Sequence, residues 1–196
     1  MAAWRHVANG SGEAVNHIRE FSIADVLRDG TRVKIRAIRP DDKDRLLQAF
    51  RLLEKESVYT RFFSPRNDVS DVELNRAVNV DFHDHVAIVV TIDSGREEII
   101  IASGRYVRTT EQSAEVAFVV EEDYQGRGIA SRLLRHLAAI AKRRGIVCFE
   151  ANVLAQNTPM LAVFKRCGFA MKQTREGGEI HLTLSLSPYG AISRKE

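Results

Sequence analysis

The chain reads Gln125-Gly126-Arg127-Gly128-Ile129-Ala130-Ser131 where a strand-like apolar segment that ends at Val120 gives way to a helical one. Glycine lets a backbone approach a ligand closely, and the first N–H groups of a helix have no partner within it. Those N–H groups and the positive end of the helix dipole attract anions. The pattern therefore indicates either a phosphate-binding loop or a glycine-rich turn that only starts a helix.

Two other kinds of phosphate loop do not fit these residues. A Walker loop needs Gly-Lys-Ser or Gly-Lys-Thr, and the dinucleotide-binding fingerprint needs a third glycine, which this segment lacks. A pyrophosphate would suit the start of this helix, and a glycine-rich turn without a ligand stays the alternative.

The segment that follows is the most regular helix in the sequence. Its apolar residues recur on one face, and basic residues precede Gly145 where the helix is predicted to end. A cation at a helix C-terminus complements the dipole, so Lys142-Arg143-Arg144 needs no further role there. The apolar face predicts that this helix packs on a sheet.

Strand and helix patterns on either side of this helix describe one mixed α/β domain. Period-two segments predict strands over 31–37, 86–92, 98–108, 114–120, 147–153, 169–174 and 179–186. Helical patterns or start signals predict helices over 40–53, 57–63, 70–78 and 158–167. The domain is predicted to span residues 29–187, with a mobile arm over 1–28 and a tail over 188–196.

Composition excludes several classes of protein. The 196 residues carry a formal charge of +3, and their basic side chains are dispersed among 26 acids, which argues against a nucleic-acid-binding protein. We see no apolar run of roughly 18 residues that would span a bilayer and no secretory signal. The two cysteines and His83-Asp84-His85 do not have metal-ligand spacing. We expect a cytoplasmic protein without a metal or a membrane partner.

Two motifs at a defined separation carry a family resemblance. Gln125, Gly128 and Ala130 fill the pattern Gln/Arg-x-x-Gly-x-Gly/Ala, and Asn157 is followed by Phe164 and by Gly168-Phe169. In these features the chain resembles the GNAT superfamily of acyl-CoA N-acyltransferases over about residues 31–186. The resemblance implies a mixed, mostly antiparallel twisted sheet with helices on both faces and a splayed central strand pair that binds acyl-CoA.

A narrower resemblance points to the acceptor. Leu27-Arg28-Asp29-Gly30-Thr31, Arg36-x-x-Arg39-Pro40-x-Asp42, Arg61-Phe62-Phe63 and His85-Val86-Ala87 look like the acetyltransferase domain of bacterial protein lysine acetyltransferases. This implies transfer of an acetyl group from acetyl-CoA to a lysine of a protein such as an acyl-CoA synthetase. Acetylation of a small amine and a non-catalytic CoA-binding module remain alternatives.

The resemblance also assigns the residues that bind acetyl-CoA. They comprise the loop and two flanking elements: Phe118, Val120, Gln125, Gly126, Arg127, Gly128, Ile129, Ala130, Ser131, Asn157 and Phe164. Asn157 is also a plausible helix cap before Thr158-Pro159, and Phe164 is equally suited to the core. In relatives a tyrosine that is proposed to protonate the leaving thiolate stands where this chain has Phe164. A thiolate leaves tolerably without such an acid, because its pKa is about 8.5.

The reaction also needs a base. A lysine amine of pKa about 10.4 is only roughly 0.04% neutral at pH 7. In the resembled enzymes a glutamate on the strand before the loop accepts the proton, which here implies Glu115, with Glu121 and Glu122 as rivals. Glu115 is expected to be half-buried between Ala114 and Val116, with its pKa raised by desolvation. The alternative is an ordinary solvent-facing strand residue.

Overall fold

The computed structural model describes residues 17–54 and 68–186. In chain order the elements are β1 (Ser22–Val26), β2 (Arg32–Ala37), a 3-10 turn (Pro40–Asp42), α1 (Lys43–Leu52), α2 (Asp71–Val78), β3 (His85–Asp93), β4 (Glu98–Arg108), β5 (Ser113–Val120), a 3-10 turn (Glu122–Tyr124), α3 (Ile129–Arg143), β6 (Cys148–Leu154), α4 (Thr158–Arg166), β7 (Ala170–Glu176) and β8 (Glu179–Ser185). The helix predicted over 57–63, residues 1–16 of the predicted arm and the predicted tail lie outside the described residues.

The described strands form a single sheet in the order β1-β2-β3-β4-β5-β6-β8-β7. Each neighbouring pair is antiparallel except β5 and β6, which run parallel. Parallel neighbours need a crossover connection, and α3 supplies it between β5 and β6. The predicted mixed and mostly antiparallel sheet is confirmed.

Helices cover both faces of the sheet because its central strands are apolar on both sides. A Cβ atom at Gly104 of β4 would lie 2.8 Å from Phe118 of β5 and 3.3 Å from Leu137 of α3, so the absence of a side chain there lets α3 pack closely. Ala117 and Val119 alternate with Phe118 and face the side that carries α1 and α2. The core therefore has two layers, one on each face of β4 and β5.

β1 corrects the prediction of an arm over residues 1–28. Its five residues pair with β2 in register, from Ser22 opposite Arg36 to Val26 opposite Arg32, and Phe21 and Leu27 on either side of it are buried. The strand is at the sheet edge and none of its own residues is fully buried, so its sequence shows little alternation. The residues from Ser22 onward therefore belong to the folded domain.

The turns that start the helices follow the predicted chemistry. Ser70 and Glu73 form the predicted capping box, in which the Glu73 N–H donates to Ser70 Oγ at 3.3 Å and the Ser70 N–H donates to Glu73 Oε2 at 3.0 Å. The helix predicted from residue 40 instead begins with a 3-10 turn and becomes α-helical at Lys43.

A buried ion-pair cluster ties β2, β4 and this 3-10 turn together. The Arg36 guanidinium, 1% exposed, donates to both carboxylate oxygens of Asp42 at 2.6 and 2.7 Å. It also donates to both oxygens of Glu98, at 3.2 and 2.8 Å. Thr91 Oγ1 donates to Glu98 Oε1 at 2.8 Å. Such bidentate charge-assisted pairs are the strong ones, and here the charge of Arg36 is fully engaged by protein groups.

Candidate acyl-CoA site

The parallel pair β5 and β6 opens into a cleft. The two strands are in register only from Ser113 opposite Cys148 to Glu115 opposite Glu150. Beyond Glu115, β5 continues with β4 and β6 continues with β8, so the backbone groups of Val116–Val120 on the β6 side have no strand partner. The predicted splay of the central strands is present, and it exposes backbone donors and acceptors to a ligand.

A cavity of about 740 Å³ fills this cleft between the end of β5, the start of α3 and α4. Ten of the eleven predicted acyl-CoA residues line it, together with Glu115: Phe118, Val120, Gln125, Gly126, Gly128, Ile129, Ala130, Ser131, Asn157 and Phe164. Its volume and mixed apolar and polar lining suit a thioester arm with an anionic end.

The loop backbone adopts the conformation that its glycines permit. Gly126 and Gly128 have φ values of 73° and 86°, the left-handed region that other residues rarely adopt. The Gln125 side chain donates through Nε2 to the Val120 carbonyl oxygen at 3.1 Å and ties the loop to the end of β5. α3 begins directly after Gly128, so its first N–H groups are directed at the cavity end of the loop.

Arg127 is the predicted residue that does not line the cavity. Its guanidinium pairs with Asp29 Oδ2 at 2.5 Å, donates to the Asp123 carbonyl oxygen and lies over the Tyr124 ring, 4.9 Å from the ring centroid. These protein partners draw the side chain away from the cleft. The predicted contact of Arg127 with the cofactor is therefore one that its backbone N–H group would make, and that contact stays a prediction.

Glu115 lies where the cleft closes. It is the last residue of β5 that is in register with β6, and it lines the cavity. Its side chain is exposed, which corrects the expectation that Ala114 and Val116 half-bury it. Those two residues face the opposite side of the strand, where both are buried.

Asn157 and Phe164 each line the cavity and also serve the fold, and their contacts with the cofactor stay predictions. Asn157 Oδ1 accepts from the Met160 N–H at 3.1 Å and caps α4, while the residue also lines the cavity. Phe164 is 1% exposed and its ring centroid lies 6.1 Å from that of Phe118. A phenyl ring that is both core and cavity wall fixes the shape of the cleft at that point.

A second cavity of about 630 Å³ lies on the α1 and α2 side of the sheet. Ala117 and Val119 line both cavities, so β5 is the wall between them. Burial raises the pKa of Glu121 in this second cavity and lowers the pKa of His85 there, with Arg105 adding to the latter effect. An acceptor that enters from this side would reach a thioester at the level of Ala117.

Three arginines that line the cavity were not predicted as site residues. Arg28 comes from the β1–β2 turn, Arg135 from the second turn of α3 and Arg166 from the end of α4. Arg28 fell in the segment that was interpreted as an arm, where the edge strand gave little signal. The Leu27-Arg28-Asp29-Gly30-Thr31 segment, part of the narrower family resemblance, was the available signal for Arg28.

His83 Nδ1 lies 2.9 Å from Asp84 Oδ1, and Asp81 Oδ1 accepts from the N–H groups of His83, Asp84 and His85. These contacts make a turn that leads into β3. Within residues 17–54 and 68–186, no group of three or more His, Cys, Asp or Glu side chains is placed to hold a metal ion. No helix in the described part of the chain is both long and apolar enough to cross a membrane.

Known proteins match this chain over the cleft. The model of the acetyltransferase (GNAT) family matches residues 50–169. Acetyltransferase Pat of Mycolicibacterium smegmatis is 36% identical over 144 residues, which are 72% of this chain and 42% of that protein, so the chain spans less than half of that relative. Acetyltransferase PA5475 of Pseudomonas aeruginosa is 30% identical over 144 residues, 73% of this chain and 77% of that protein.

A solved structure agrees with these matches. The crystal structure of the GNAT domain of S. lividans PAT superposes with a TM-score of 0.77 at 38% identity, covering 84% of this chain and 96% of that one. A superposition of this extent shows that the two chains share one fold. The chain therefore belongs to the GNAT family of acetyltransferases.

Proposed function

We propose that the enzyme acetylates lysine side chains of proteins, with acetyl-CoA in the β5–β6 cleft and Glu115 as the general base. The observation that carries this proposal is the shared wall: Ala117 and Val119 of β5 line the acyl-CoA cleft and also the cavity on the opposite face. A thioester at the end of the first cavity and an amine in the second would meet at this strand. The likeness to acetyltransferase Pat and to the S. lividans PAT domain supports a protein acceptor.

Acetyl-CoA is placed by backbone groups in this proposal. The pyrophosphate lies on the N–H groups of Gly126–Ser131 at the start of α3, where a helix N-terminus stabilises an anion. The pantetheine arm runs along the unpaired edge of β5 at Phe118 and Val120. An N–H group beyond Ala117 on that edge would donate to the oxyanion that forms on the thioester.

Glu115 then removes a proton from the attacking ammonium, directly or through water. The neutral amine forms the new N–C bond, the nitrogen releases its remaining extra proton to solvent, the C–S bond breaks, and the electron pair of that bond leaves with the CoA thiolate. The residue opposite the thiol is Phe164, which has no proton to donate. The thiolate leaves as the anion and takes its proton from solvent, which its pKa of about 8.5 permits.

The test is to measure thiol release from acetyl-CoA with a panel of acyl-CoA synthetases and a matched panel of free amines, with mass spectrometry of the products. We expect acetyl groups on specific lysines of a folded protein and faster thiol release with that protein than with free lysine. Acetylation of free amines with none on protein would replace this proposal by the small-amine function. Binding of CoA without any transfer would replace it by the non-catalytic module.

A further inference from the structure

The β1–β2 turn is docked against the loop at the start of α3. Asp29 Oδ2 pairs with Arg127 Nη1 at 2.5 Å, and Asp25 Oδ2 pairs with Arg132 Nε at 2.7 Å. Arg132 Nη2 also donates to the Val26 carbonyl oxygen at 2.9 Å. These contacts join residues about 100 positions apart in the chain, so the turn is held in a defined place beside the loop.

The two aspartates engage one arginine of the loop and one in the first turn of α3. Arg127 pairs with Asp29 of the β1–β2 turn, Arg132 pairs with Asp25 of β1, and neither arginine lines the acyl-CoA cleft. Their charges are thereby offset within the protein. A ligand phosphate gains less from a cation that a carboxylate already neutralises than from one that is free.

Arg28 lies between Asp25 and Asp29 in the sequence, and its partners differ from those of Arg127 and Arg132. Within residues 17–54 and 68–186, no hydrogen bond or ion pair engages its guanidinium, and the side chain lines the cleft together with Gly126, Gly128 and Ser131. Its Nε atom lies 3.6 Å from the position that a Cβ atom on Gly128 would occupy. An unpaired guanidinium therefore stands at the glycine where the pyrophosphate is expected to approach the backbone.

We infer that Arg28 binds the pyrophosphate of acetyl-CoA, so that the β1–β2 turn closes the phosphate site from the side opposite the α3 N-terminus. A guanidinium presents paired N–H donors that match phosphate oxygens, whereas backbone N–H groups bind them singly. The Asp25–Arg132 and Asp29–Arg127 pairs position the turn that carries Arg28. This inference rests on the placement of acetyl-CoA proposed above.

Calorimetry with CoA and with 3′-dephospho-CoA tests the inference, using wild type, Arg28→Ala, Arg28→Lys and the matched control Arg32→Ala. Arg32 is an exposed arginine of β2 that does not line the cleft. We expect Arg28→Ala to weaken both ligands about 10-fold or more, Arg28→Lys to lie between it and wild type, and Arg32→Ala to bind as wild type. In steady-state kinetics Arg28→Ala should raise the KM for acetyl-CoA and leave kcat little changed.

Wild-type affinity in Arg28→Ala would overturn the inference. A loss seen with CoA and not with 3′-dephospho-CoA would also overturn it, because Arg28 would then contact the 3′-phosphate. Gly128→Glu separates this failure from that of the proposed function: if it abolishes binding while Arg28→Ala does not, only the role of Arg28 is wrong. If neither variant changes affinity, the placement of the pyrophosphate is wrong as well.

Discussion

Two regions of the molecule use arginine in opposite ways. At the end of β2, the buried Arg36 is surrounded by Asp42 and Glu98, which accept four hydrogen bonds from its guanidinium. At the acyl-CoA cleft, Arg28 and Arg135 line an open cavity, and neither forms an ion pair with a carboxylate among the described residues. The first region is complete without a ligand, and the second has positive charge that a ligand phosphate can offset.

The carboxylates of the two regions also differ in whether protein groups already engage them. Glu98 accepts from Arg36 and Thr91 at once, and the Arg36 hydrogen bond lowers its pKa to about 2 against the opposing effect of burial. Glu115 is exposed at the closed end of the cleft and has no hydrogen bond to another residue among those described. A carboxylate that is already bound stabilises the fold, while an open one can accept a proton from a substrate. The comparison predicts that substitutions in the two regions affect different properties.

Replacing Glu115 should give the largest effect of these substitutions, and this effect should be on the turnover rate and not on stability or CoA affinity. Glu115→Gln keeps the shape and loses the proton acceptor, so turnover should fall by about 10² to 10⁴ with little change in CoA affinity or melting temperature. Raising the pH should restore part of the rate, because more of the amine is already neutral. The measurement is a pH–rate profile of wild type and Glu115→Gln, with melting temperatures and CoA affinities.

Glu150→Gln is the matched control, since Glu150 is the partner of Glu115 in the β5–β6 register. It should retain most of the wild-type rate. An unchanged rate at neutral pH in Glu115→Gln would assign the proton transfer to Glu121, Glu122 or an ordered water. That result would contradict the claim that the exposed carboxylate of Glu115 accepts a proton from the substrate.

Replacing Asp42 should affect stability. Asp42→Asn leaves the charge of Arg36 only partly compensated in a buried site, which should lower the free energy of unfolding by about 3–5 kcal/mol. The folded fraction should still bind CoA with wild-type affinity. Urea unfolding of Asp42→Asn beside Asp41→Asn, whose carboxylate is 71% exposed, measures the difference. Equal stability in the two variants would show that the cluster does not hold the sheet as described.

The smallest effect is expected in the acid dependence of stability. Because Glu98 has a folded pKa near 2 and an ordinary value of 4.5, its contribution is complete above about pH 4.5 and is lost as the pH falls toward 2. Burial raises the pKa of Asp42, but the hydrogen bonds from Arg36 and from the Arg39 N–H, with the charges of Arg36 and Arg45, together lower it, so Asp42 acts in the same direction. Glu98→Gln should be less stable than wild type at pH 7, with a gap that narrows toward pH 3. A gap that stays constant from pH 7 to pH 3 would contradict this account.

Much of the fold was predictable because periodicity and turn chemistry agree with the packing. The α3 helix has an apolar face long enough to be recognised, and the capping box fixed the start of α2. β1 was not predicted because none of the residues of this edge strand is fully buried. The strand is held mainly by backbone pairing to β2, which does not require an alternating apolar pattern in the sequence. Element bounds differed by only one or two residues where a glycine or a turn marked them.

The site was only partly predictable, since spacing shows which residues lie near the loop but not which partners they have. Arg127 is within the motif, yet Asp29 draws its side chain away from the cleft. Arg28 is distant in sequence, and the β1–β2 pairing together with the Asp25–Arg132 and Asp29–Arg127 ion pairs brings it to Gly128. The predicted half-burial of Glu115 was also wrong. Side chains alternate between the two faces of β5, so Ala114 and Val116 face the core and Glu115 lies on the opposite face, where it is exposed.

The placement of acetyl-CoA on the α3 loop is tested most directly by calorimetric titration of CoA into Gly128→Glu. A side chain at Gly128 would start 2.9 Å from Arg132 Nη1, and its carboxylate would add negative charge where the pyrophosphate is expected. Gly177→Glu is the matched control, because Gly177 in the β7–β8 turn has a left-handed φ of 56°, has open space around it and does not line the cleft. We expect binding to become undetectable in Gly128→Glu and to stay at the wild-type level in Gly177→Glu. Wild-type affinity in Gly128→Glu would contradict the placement.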